Sequence, residues 1–336
     1  MRLHFGLASM LLVMVVSAPA VAAEFVPGPY GTAEGALVLL SGGDYAEPYF
    51  ATKALLVAQD TGLDVRQPAL AWIKFAMPRQ RKDGRFDRYC RVASGGWRSC
   101  GVADADDSML ALWLQLLYRL APDSGLPAEW QQSALRAEAH LKSLRNARLG
   151  VYHISHKNHV ALFMDNVEVY AALRDIADAQ QRFGDTVKAK QTRALADDLG
   201  RAMTRIFWDQ RARWFRVSTQ KQHRGDFYPD AVAQAFPILA HMDIDNRDQH
   251  ALWQWWRDTF AQEWLSRKRD PHPWGLLAVA AFAAGDRETA ACWLSDSQPF
   301  RFSKQWNVLE EAAFQGLQNS ITDQAPSACS GVIARR

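Results

Sequence analysis

Cysteine is sparse in this 336-residue chain, which has four: Cys90, Cys100, Cys292 and Cys329. Their spacing fits no zinc site, so a metal-stapled module is excluded. A charge excess is missing too. Lys and Arg number 39 against 36 Asp and Glu, a net charge of +3, which argues against a dedicated nucleic-acid binder. No segment is apolar for long enough to form a stable membrane span. A glycine-rich phosphate loop, a Ser-His-Asp order and a Cys-His signature are all lacking, and no cofactor or metal is expected.

What is present begins with an address. Arg2 and His4 precede the apolar run Leu11 to Val16, and Ala20-Val21-Ala22-Ala23 offers small residues for cleavage. Residues 1–23 therefore read as a cleavable secretory signal, which puts the mature chain in the periplasm or outside the cell. Cysteines in such a compartment tend to pair. Cys90 and Cys100 share one loop and are the expected pair. Cys292 and Cys329 would then tie the C-terminal tail, 321–336, to the last outer helix.

The body of the chain, 24–320, alternates between two kinds of helix. Apolar stretches begin near Glu47, Asp104, Asp165, Asp230, Trp274 and Trp306. Charged amphipathic stretches follow near Val65, Ala128, Thr186, Arg247 and Asp286. Apolar to charged is a short hop, as at Thr61-Gly62 and Gly285-Asp286. Charged back to apolar is usually a long loop rich in aromatics, Gly and His. Ser108 to Tyr118 carries no charge, as expected of a helix buried nearly all round. Inner helices with solvated outer partners predict an all-α fold, an (α/α)6 toroid of helical hairpins. Gly31–Leu40 is expected as a short outer helix and Ala231–His241 as an inner one. Between Arg79 and Cys100 the helical period stops. Gly84-Arg85-Phe86 and Arg91-Val92-Ala93, with a turn at Gly95-Gly96, predict a small β flap. A solenoid of helical repeats is the alternative, but the uneven spacing of the inner helices argues against it.

The stretches Phe207-Trp208-Asp209 to Trp214-Phe215 and Phe163-Met164-Asp165-Asn166-Val167-Glu168 add a likeness. Through them the chain resembles the six-hairpin (α/α)6-toroid glycosidase superfamily, loosely its unsaturated glucuronyl hydrolase branch. The resemblance implies a catalytic acid/base at Asp165. Glu168 departs from the residue type expected there.

Glycosidic cleavage needs a proton donor and usually a second carboxylate. Carboxylates stand at the predicted inner-helix starts: Asp104, Asp106 and Asp107; Asp165 and Glu168; Asp230; Glu310 and Glu311. Asp106, Asp107, Asp165 and Asp230 are the catalytic candidates, with Asp165 first and Asp106 or Asp107 as its partner. Capping competes with catalysis at each. Asp104-Ala-Asp-Asp-Ser precedes a helix, Asp165-Asn-Val-Glu168 has capping-box spacing, and Asp230 suits a first helical turn. The loop Tyr152 to His159 gathers His153, His156 and His159, suited to sugar binding or, in a polysaccharide lyase, to proton transfer. Trp97, Tyr152, His156, His159, Tyr228, Trp274, Trp306 and Arg88 are the substrate-binding candidates. Aromatic faces stack on sugar rings, and arginines such as Arg88 and Arg224 pair with acidic sugars.

The sequence thus points to an exported glycan-cleaving enzyme, a glycoside hydrolase acting on an oligosaccharide or exopolysaccharide. A lyase on a related toroid and a non-catalytic glycan-binding or assembly protein are the alternatives.

Overall fold

A computed structural model describes residues 22–220, 225–242, 249–321 and 329. Most of the segment expected to be a secretory signal, Arg224 and most of the tail lie outside the described residues.

The inner helices are α1 (Pro48–Asp60), α3 (Asp106–Leu120), α5 (Phe163–Arg182), α7 (Phe236–Leu239), α9 (Gly275–Ala283) and α11 (Val308–Ser320). Between them run the outer helices α2 (Arg66–Ala76), α4 (Ala128–Ser143), α6 (Thr186–Phe207), α8 (Gln249–Ser266) and α10 (Arg287–Ser297). Each inner helix packs on the next, and α1 packs on α11, so the ring closes. That closure rules out an open solenoid. Composition explains the sorting. In α3 every residue but Arg119 is buried, whereas α6 buries six residues, mostly Ala and Leu, along one stripe.

Two expected helices differ. Gly31–Leu40 is a series of turns and bridges. Gly35 adopts φ +87°, and a Cβ there would lie 2.5 Å from the Ala71 carbonyl oxygen of α2. The backbone packs too closely for a helix with side chains. Bridges pair Gly31 with Leu37 and Leu40 with Asn307, so this extended segment fills the twelfth helical place. The expected inner helix Ala231–His241 is broken into a wide turn, Phe227–Ala231, and the single turn α7. Pro237 has no N–H to continue the ladder. The Gln234 side chain holds the break, bonding Phe215 N (2.9 Å), Phe215 O (2.9 Å) and Asp230 O (3.1 Å).

The flap is a three-stranded antiparallel sheet, β1 (Tyr45–Ala46), β2 (Asp87–Arg91) and β3 (Trp97–Val102), in that order. The turn lies where expected, but the strands flank it differently. Gly84-Arg85-Phe86 precedes β2, and Phe86 is buried against Trp113. Cys90 is bonded to Cys100 across the flap, and Cys292 to Cys329, as the sequence suggested. The short ribbon β4 (Trp208–Asp209) with β5 (Trp214–Phe215) follows α6.

Candidate active site

Several inner helices begin without a side-chain cap. A helix start leaves amides in need of acceptors, and side-chain oxygens usually supply them. Here neighbouring loops do so. Asp106 N donates to Ile154 O at 2.8 Å at the start of α3, and Phe163 N to Val217 O at 2.9 Å at the start of α5. The N-cap residues of α1, α3 and α5 are Glu47, Ala105 and Leu162, none of which makes a side-chain cap bond. The capping-box reading of Asp165 and Glu168 therefore fails, because α5 starts earlier than that spacing requires. Outer helices do use caps, Asp185 for α6 and Asp286 for α10. At α1, α3 and α5 the carboxylates are thereby released from capping their own helices.

They gather in a cleft of about 470 Å³ at the N-terminal end of the inner helices. Glu47, Asp104, Asp165, Asp270 and Glu310 line it, with Arg88 reaching in from the flap. Glu47 Oε2 accepts from the Tyr45 hydroxyl at 2.8 Å and is 2.5 Å from Arg88 Nε. Burial pushes the Glu47 carboxyl up, against the pull of Tyr45 and Arg88. Glu310 Oε2 accepts from Gly275 N at 2.6 Å, and burial raises the group to about 7.

Behind the wall lies a closed carboxylate cluster. Asp107 is fully buried and faces Asp165. Burial lifts Asp107 to about 7. Burial, then the charges of Asp107 and Glu168, hold Asp165 well above the usual carboxylate range. Glu168 is clamped from α1 by the Tyr49 hydroxyl at 2.8 Å and Lys53 Nζ at 2.9 Å. Among the described residues, Asp165 Oδ2 and Glu47 Oε1 are buried without a hydrogen-bond partner.

The predicted residues are thus dispersed. Asp165, Arg88, Tyr228 and Trp274 line the cleft, and Asp107 supports it. Tyr228 and Trp274 stack at 5.0 Å, with 21° between their planes. Asp106 lies elsewhere, with Arg85 at 3.7 Å and His140 at 3.8 Å. Asp230 does not line the cleft; its carboxylate accepts from Gly225 N (2.9 Å) and Asp226 N (3.2 Å). Trp306 is wholly buried, bonding Glu311 and stacking on Trp293. Trp97 packs edge-on against Phe75 under Arg91. Tyr152 is buried, its backbone pinned in both directions by Asn166. His156 bonds Ser143, and His159 stacks on His153, both outside the cleft lining. From that loop only Ile154 and Asn158 reach the cleft wall.

Sequence reasoning passed over Glu47, Asp270 and His272. Glu47 had a usable signal: it opens an inner helix just as Asp104 and Asp165 do. Asp270 and His272 had none, since they precede the inner helix in a loop whose path depends on tertiary packing.

No protein-family model matches the chain, and no curated protein does. Solved structures match in shape. An alpha-amylase from Clostridium perfringens is 9% identical with a TM-score of 0.57, over 88% of this chain and 94% of that one. Rex8A from Paenibacillus barcinonensis, complexed with xylose, is 15% identical with a TM-score of 0.57, over 89% of this chain and 88% of that one. A reducing-end-xylose releasing exo-oligoxylanase is 10% identical with a TM-score of 0.55, over 87% and 86%. At these identities the likeness shows the fold alone, an (α/α)6 toroid of helical hairpins.

Proposed function

We propose that this protein is a glycoside hydrolase that cleaves an oligosaccharide or polysaccharide in the cleft at the N-terminal end of the inner helices. One observation carries the reading: two carboxyls from different helix starts, Asp165 on α5 and Glu47 before α1, line one cleft, and burial raises both. Hydrolysis of a glycosidic bond asks for one protonated and one ionised carboxyl. Asp165 suits the proton donor, because burial, Asp107 and Glu168 all disfavour its charged form. Glu47 suits the base that activates water: burial raises its carboxyl and so its basicity, while Arg88 and the Tyr45 hydroxyl partly offset that rise and hold the ionised form in place. The Tyr228–Trp274 stack offers a face for a sugar ring. Asp107 is a positioning residue that keeps the proton on Asp165. The two disulfides fit an oxidising compartment, in line with export. The lyase reading loses its support because Tyr152, His156 and His159 do not line the cleft.

The test is a reducing-end assay on a panel of bacterial and plant glycans, with ultraviolet absorbance followed in the same sample. Hydrolysis gives new reducing ends at constant absorbance. Asp165→Asn should keep the fold and lose activity by at least about a hundredfold. A folded and fully active variant overturns the assignment of the acid.

A further inference from the structure

The hydrolase reading leaves the sugar open, and the charge lining the cleft narrows it. Among the described residues, five carboxyls line the cleft: Glu47, Asp104, Asp165, Asp270 and Glu310. Asp165 holds its proton and Glu47 is paired with Arg88, so the uncompensated negative charge is that of Asp104 and Asp270, with Glu310 as it ionises. The guanidinium of Arg88 is the one arginine or lysine head group in that lining, and it is already engaged. Its Nε is 2.5 Å from Glu47 and its Nη2 is 3.7 Å from Asp104. Lys53 lies below and is held by Glu168 at 2.9 Å. Arg85 faces Asp83 and Asp106 instead. A uronate entering here would meet one arginine, already paired with Glu47, and several carboxylates, so the wall opposes an acidic sugar.

The same wall suits a cation. Asp270 is half-buried beside the aromatic platform, on the segment that carries His272 and Trp274 into the ring. Glu310 and Asn307 stand on the neighbouring helix start in the same cleft. A sugar resting on the Tyr228–Trp274 stack has carboxylates beside it and an electron-rich aromatic face beneath it, the two surroundings that attract an ammonium.

We propose that the cleft takes a glycan bearing free amino groups, a polymer or oligomer containing de-N-acetylated hexosamine. This rests on the hydrolase reading for the location of the site, but not for its chemistry.

The experiment compares three matched probes at low ionic strength: oligomers of glucosamine, of N-acetylglucosamine and of glucose. Binding is measured calorimetrically with Asp165→Asn, and cleavage by reducing ends with the native protein. Glucosamine oligomers should bind about tenfold tighter than either neutral series, a preference that added salt and Asp270→Asn both reduce. Equal or weaker binding of the amino series overturns the proposal, and so does a preference that neither salt nor Asp270→Asn alters. Cleavage of a neutral series without any amino preference leaves the hydrolase reading standing and removes this one. Tight, salt-sensitive binding of glucosamine oligomers without cleavage of any probe does the reverse. Failure of every probe to bind counts against both.

Discussion

Asp107 presents its carboxyl to that of Asp165 behind the cleft wall, with both side chains buried. Two buried carboxyls so placed do not both ionise readily, because each charge disfavours the other. The pair therefore holds a proton at pH values where an exposed aspartate has lost it.

A pH-rate profile reads this directly. Asp107→Asn removes one charge from beside Asp165 and can donate a hydrogen bond to it, and both effects favour ionised Asp165. The alkaline limb of kcat/KM should move down by about one pH unit or more, with activity at low pH largely kept. An unchanged profile with the native fold would show that Asp107 does not tune the acid.

Glu168 and Lys53 form the other half of the cluster. Their side chains are 2% and 13% exposed, so the pair is buried and its rupture leaves a charge uncompensated. Lys53→Met should destabilise the protein by about 3 kcal/mol in urea unfolding. Lys53→Met with Glu168→Gln should recover most of that loss, since the Tyr49 hydroxyl keeps a partner. A double variant as unstable as the single one would mean that Lys53 acts through packing on Phe236, which its ammonium approaches at 5.7 Å.

How much of this was legible before folding follows the physics of each signal. The toroid was readable because burial all round leaves helices such as α3 free of charge, while outer helices keep a polar face. Asp165 and Trp274 were readable because both stand at inner-helix starts. Asp230 and Trp306 stand there too, yet they face inward to a backbone turn and to Glu311. Which way a side chain turns at a helix start depends on the first turn and its neighbours, and residue type does not encode it. The break before α7 was half visible in Pro237. The Gln234 bonds that hold it join residues of separate elements. The loss of Gly31–Leu40 as a helix depends on the close approach of Gly35 to α2, a tertiary fact.

The flap offers a separable prediction. Arg88 sits on β2, two residues from Cys90, and its ion pair with Glu47 joins the flap to the start of α1. Cys90→Ser with Cys100→Ser opens a loop with a sequence separation of 10. Chain entropy for a loop this short gives a loss of roughly 2–3 kcal/mol, much of it local to the flap. KM should rise several-fold while kcat changes less, because Arg88 is held less firmly but the carboxylates stay in place. A fall in kcat alone would assign the disulfide a role at the reacting centre.

Stability should also depend on pH in an unusual direction. Asp107 and Glu310 are raised to about 7, and Asp165 is raised as well, all chiefly by burial. In the unfolded chain these groups titrate near pH 4. A group raised by folding stabilises the native state fully below its unfolded value, and that contribution disappears as pH climbs through the folded value. The native chain binds more protons between about pH 4 and pH 7, so its stability should decline across that window. Thermal unfolding at pH 5 and pH 8 checks this, with Tm lower at pH 8. Glu310→Gln keeps an acceptor for Gly275 N without a group to ionise, and should flatten the slope. A variant with the same slope as the native protein would place the titrating group elsewhere.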